Sequence, residues 1–101
     1  MKPKYIECSS FVAVYTPHFR IQAKDRGGEL FSESDIPLEA MWKAGIENKC
    51  CGCDFAGGFL YYKCKLNLRR ERWELELISF TPSDKFHTDN LKFATKVSLN
   101  I

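Results

Sequence analysis

At 101 residues and a formal net charge of +2, the chain (1–101) has room for a single domain with one modest core. The near-neutral balance gives no general footprint for nucleic acid or a membrane surface, which needs a clustered excess of cations. Eight phenylalanines, four tyrosines and two tryptophans argue for a folded globule rather than a disordered tail.

The opening Met1 to Cys8 contains no signal-peptide core, and the apolar run Phe11 to Tyr15 is too short for a signal h-region or a membrane span. The expectation is a cytoplasmic protein with no membrane partner. There the five cysteines stay reduced, and their odd number argues against a complete disulfide framework.

Tyr5 to Thr16 is rich in strand formers, and its apolar stretch suggests a strand covered on both faces. Thr16-Pro17-His18 reads as a break. Phe19, Ile21 and Ala23 alternate with Arg20, Gln22 and Lys24, which predicts a second strand with one wet face. Asp25 to Gly28 has the composition of a turn, and Glu29 to Ser32 of a short third strand. A short helix is expected from Pro37, with Leu38, Met41, Trp42 and Gly45 on one side and Gly45 at its end. Asn48 to Gly58 reads as an irregular loop.

The clearest signal is a hairpin over Gly58 to Phe80. Leu60, Tyr62, Cys64, Leu66 and Leu68 alternate with Tyr61, Lys63, Lys65, Asn67 and Arg69; Trp73, Leu75 and Leu77 alternate with Glu74 and Glu76. A turn at Arg70-Glu71, or a loop from Arg69 to Arg72, pairs Leu68 with Trp73, Leu66 with Leu75, Cys64 with Leu77, Lys65 with Glu76 and Asn67 with Glu74. Thr81 to Asp84 reads as a turn, and Leu91 to Ile101 as a C-terminal strand. The short connections imply an α+β domain: a mainly antiparallel sheet of five or six strands with one short helix packed on one face.

Chemistry is less legible. Cys50-x-x-Cys53 has the spacing of a metal knuckle, and Cys8, Cys64, His18 and His87 are candidate further ligands. No second short-spaced pair accompanies it, so free or buried thiols are the leading expectation and no cofactor is assigned. The same pair follows the helix instead of preceding one, which argues against a low-pKa redox dithiol. A zinc deaminase would need a His-x-Glu element, and none occurs. Glu74 and Glu76 read as members of a charged strand face. Gly27-Gly28 and Gly57-Gly58 lack the context of a phosphate loop.

No catalytic set stands out, so the expected function is non-enzymatic. A small binding protein, an inhibitor or adaptor with a protein partner, is the leading reading. A counter-defence factor from a phage or other mobile element would fit the size. Its candidate contact residues are Phe55, Phe59, Tyr61, Lys63, Lys65, Arg69, Arg70 and Arg72, because exposed aromatics with arginine nearby anchor protein interfaces. The alternative is a small nucleic-acid-binding protein, zinc-stabilised through Cys50 and Cys53, that uses the basic residues near the hairpin tip beside Tyr61. An edge strand could also pair with a second copy to form a homodimer.

Overall fold

A computed structural model describes residues 2–27, 31–82 and 94–99. Six strands, β1 (Lys4–Glu7), β2 (Val12–Tyr15), β3 (Cys50–Phe55), β4 (Gly58–Asn67), β5 (Arg72–Pro82) and β6 (Thr95–Lys96), form one sheet in the order β1-β2-β5-β4-β3-β6. Two helices, α1 (Pro17–Gly27) and α2 (Leu38–Ala44), and a 3-10 turn at Glu33–Asp35 lie between β2 and β3. The class is α+β, but the sheet is mixed rather than mainly antiparallel. The β2–β5 and β3–β6 pairs are parallel, and β1–β2, β3–β4 and β4–β5 are antiparallel. The chain leaves β2 through two helices and the β3–β4 hairpin before β5 returns beside it, which is length enough for a parallel crossover.

The segment expected as a second strand is α1. Pro17 takes the first helical position, where its missing N–H is no loss. Thr16 caps it: Thr16 Oγ1 accepts the Phe19 N–H at 3.1 Å and donates its own proton to the Leu77 carbonyl at 2.9 Å. Phe19 and Ala23 are buried, whereas Ile21 between them is 47% exposed. Phe19 and Ala23 stand four apart, so they share one helix face as readily as one strand face. The helix runs through the expected turn at Asp25 to Gly27. Of the expected third strand, Phe31 and Ser32 are not in a strand, and the rest lies outside the described residues. Thr16→Ala should cost about 1–2 kcal/mol through the lost cap, read as a lower urea midpoint with unchanged slope.

Phe11, Ala13, Tyr15, Phe19, Ala23, Ile36, Met41, Cys51, Cys53, Leu60, Tyr62, Cys64, Leu75, Leu77 and Phe80 form one buried cluster between the sheet and the helices. Tyr62 donates its hydroxyl proton to the Met41 carbonyl at 2.7 Å, which ties α2 to β4. Gly45 closes α2 against the same strand. A Cβ there would stand 2.6 Å from Cys64 Sγ, so only glycine allows this approach.

The stretch expected as a loop at Asn48 to Gly58 is mostly β3. It turns into β4 through Ala56 and Gly57, both at positive φ (50° and 76°), the geometry of a two-residue hairpin turn. The expected β4–β5 hairpin is present, with its register displaced by two residues. Leu66 faces Trp73, Cys64 faces Leu75, Tyr62 faces Leu77 and Lys65 faces Glu74. A two-residue displacement keeps every side chain on its expected face. Of the turn expected at Thr81 to Asp84, Thr81 and Pro82 continue β5, and the rest lies outside the described residues. The C-terminal strand reduces to β6 among the described residues; Val97 and Leu99 follow it and pack on the core.

Candidate functional site

Two features put the β4–β5 tip beyond its neighbours. β2 begins at Val12, opposite Glu74, and β3 begins at Cys50, opposite Lys63. Leu66 and Asn67 of β4 and Arg72 and Trp73 of β5 therefore extend past both flanking strands. The connecting loop runs from Leu68 to Glu71. Asn67 Oδ1 accepts the Arg70 N–H at 3.1 Å, and Glu71 sits at φ 52°. Asparagine at this position is the turn signal that fixes the loop.

This end of the hairpin is apolar as well as basic. Leu68 is 79% exposed, Leu66 41% and Trp73 36%. Trp73 meets Trp42 edge-on with centroids 6.0 Å apart, and Trp42 stacks on Phe11 at 4.6 Å. Arg69 and Arg70 are exposed and form no ion pair among the described residues.

The other candidate contact residues divide. Phe55 is half-buried and packs edge-on against Phe31 at 4.9 Å. Phe59 is half-buried with the Lys96 ammonium 5.7 Å above its ring. Tyr61, expected to be exposed, is only 5% exposed, because Gly52 opposite it leaves room for its ring. These aromatics are committed to packing. Lys65 pairs with Glu76 at 2.9 Å, the expected ion pair, although the displaced register makes it diagonal. Lys63 is half-buried beside them. Glu74 lies inside rather than on a solvated face: it is 4% exposed and accepts from Arg72 Nε at 2.9 Å and Asn67 Nδ2 at 3.2 Å. His87, a candidate ligand by sequence, lies outside the described residues. Sequence reasoning missed Tyr5, Leu66, Leu68 and Trp73 as surface residues; Leu66 and Trp73 keep their expected face but stand past the flanking strands, and Leu68 falls in the turn.

Cys51, Cys53 and Cys64 belong to the core, Cys8 packs against it and Cys50 is half-buried. Cys50 and Cys53 are an odd number of residues apart on a strand, so they point to opposite faces and do not form the metal knuckle that their spacing offered. No group of three or more His, Cys, Asp and Glu side chains suited to a metal occurs among the described residues. Burial pushes the thiols of Cys53 and Cys64 up to about 12, and Asp54 and Cys51 add to this at Cys53. Burial also raises Cys50 and Cys8. A redox dithiol needs the opposite shift.

The sign of these shifts predicts alkaline instability. A thiol with an ordinary value of 9.0 loses its proton more readily once unfolded than at about 12 in the folded protein. Stability is therefore whole below pH 9.0 and falls as pH rises toward 12. The thermal midpoint should drop over that window. Iodoacetamide at neutral pH should spare Cys53 and Cys64 until denaturant is added.

The whole is a mixed-sheet α+β domain whose described helices cover one sheet face and whose hairpin end stands proud. Compared with known proteins, the chain matches no family model, no curated protein and no solved structure. No helix among the described residues is long and apolar enough to cross a membrane.

Proposed function

We propose that the chain is a non-enzymatic binding protein, an inhibitor or adaptor, that engages a protein partner through the β4–β5 tip. The observation that carries this reading is the projecting end itself: Leu66, Leu68 and Trp73 exposed beside Arg69 and Arg70, which lack ion pairs among the described residues. Fully buried centres of interfaces favour tryptophan and arginine over lysine and glutamate. An exposed leucine at a hairpin turn contributes little to folding, and its burial against a partner would stabilise the complex.

Raised thiol values support the non-enzymatic side of the reading, since they suppress the nucleophilic thiolate. The test is affinity capture of partners by the full chain from its natural host, compared with Leu68→Ala and Arg70→Ala. Both sites are exposed, so each variant should keep its stability within about 0.5 kcal/mol. Each should weaken capture by about fivefold or more. Capture unchanged in the double variant would remove the tip from the interface.

A further inference from the structure

The arginines at the tip are unevenly used. Arg72 spends its Nε–H on Glu74, and its buried Nη2 has no hydrogen-bond partner among the described residues. Arg70 makes no ion pair among the described residues. Both guanidinium groups lie over one ring, that of Tyr5, each 5.6 Å from its centroid. Tyr5 is 47% exposed. Its electron-rich π system attracts each cation. A carboxylate docked at this end of the Tyr5 ring would take up the free donors of Arg70 beside the positive charge of Arg72, and planar guanidinium suits such a group.

A cavity of about 310 Å³ opens beside this pair, between the β1–β2 turn and the base of β5. Phe11, Val12 and Trp73 supply its apolar wall, and Arg72 belongs to both the cavity and the Tyr5 stack. Parallel pairing of β2 with β5 is what brings the β1–β2 turn to this end of the sheet.

We infer that the tip recognises an acidic protein segment, with a carboxylate on the Arg70–Arg72 pair and a large apolar side chain in the adjoining cavity. This rests on the protein-binding reading above and specifies the partner's chemistry. A nucleic-acid strand is the less fitting occupant. Its charge repeats along the backbone, whereas here Glu7 lines the cavity and Glu71 and Glu74 interrupt the arginines. An apolar wall bordered by a few cations matches an amino-acid sequence that mixes carboxylates with one bulky side chain.

The experiment is selection of short random displayed peptides on the full chain, followed by affinities of the enriched peptides in synthetic form. Enrichment of Asp and Glu around Trp, Phe or Leu is expected. Affinity for such a peptide should fall about tenfold in Arg70→Gln and fall again in Ser10→Phe, which fills the cavity mouth. Arg70 and Ser10 are both exposed, so the fold should tolerate either change. Enrichment of neutral or basic peptides, no enrichment, or affinity unchanged in Arg70→Gln would overturn the inference. So would salt-dependent binding of an oligothymidine strand without peptide enrichment. A native partner captured equally by wild type and Arg70→Gln would overturn the acidic segment while leaving a protein partner in place.

Discussion

Phe80→Ala should remove about 3–5 kcal/mol of stability, a large share of the roughly 5–15 kcal/mol of a domain this size. Phe80 is fully buried, and its ring meets Phe31 at 4.9 Å in a T-shaped contact. Phe31 in turn meets Phe55 at 4.9 Å. Phe31 comes from the α1–α2 connection and Phe55 from the end of β3, so the ring of Phe80 joins elements far apart in sequence. Its removal leaves a cavity that the sheet backbone cannot close. The effect should exceed that of Phe31→Ala, because Phe31 is only half-buried. The two losses should be sub-additive, since one contact is common to both. Equal urea midpoints for Phe80→Ala and the wild type would mean that the β4–β5 register at Leu60 opposite Phe80 is wrong.

That register shows which parts of the fold were legible. Alternation in β4 and β5 fixed the faces of Cys64, Leu75 and Leu77, all of which are buried. It left the pairing free by two residues, because a slip of that size preserves every face. Asn67 resolves it by holding the turn, a local hydrogen bond that the charge pattern did not encode. A bulge between Tyr61 and Tyr62 then lets Leu77 and Phe80 face the same core although they are three residues apart. Strict period-two reading has no place for that extra residue.

Two elements were misassigned for different physical reasons. Phe19 and Ala23 satisfy both a strand and a helix pattern, and Thr16 with Pro17 decides for the helix by capping it. The β3 sequence, Cys-Cys-Gly-Cys-Asp-Phe, reads as loop by composition. Yet Cys51 and Cys53 alternate into the core, and a small residue at Gly52 is what admits Tyr61 on the other face. Free cysteine behaves here as a small hydrophobe. Reading the stretch as loop by its composition hid a strand. The candidate interface was legible in Arg69 and Arg70; the aromatic half of it lay elsewhere, at Tyr5 and Trp73. Only the parallel placement of β2 against β5 brings the β1–β2 turn, and with it Phe11 and Val12, to the same end as the tip.

Gly58→Ala should cost about 2–3 kcal/mol, and the cause is steric. A Cβ at Gly58 would stand 2.5 Å from the Thr81 carbonyl oxygen and 2.8 Å from the Phe80 ring. The first neighbour is backbone of the paired strand, opposite Gly58 next to Pro82, and cannot rotate away. Strand β5 would have to move, and with it the cover on Leu60. Gly57→Ala next door is the informative control. Its Cβ meets nothing within 4 Å, but φ is +76°, so it should carry only backbone strain of about 1 kcal/mol. Gly45→Ala makes a third case, because its closest neighbour is the Cys64 thiol at 2.6 Å. Adding Cys64→Ala should restore much of the loss at Gly45. No comparable rescue is expected at Gly58, where Phe80→Ala relieves the ring contact and leaves the carbonyl in place. Urea midpoints across this set separate the three mechanisms. Gly58→Ala no worse than Gly57→Ala would show that β4 and β5 do not approach as closely as the structure has them. Gly45→Ala unrelieved by Cys64→Ala would move the obstruction to the Met41 carbonyl, 3.2 Å away.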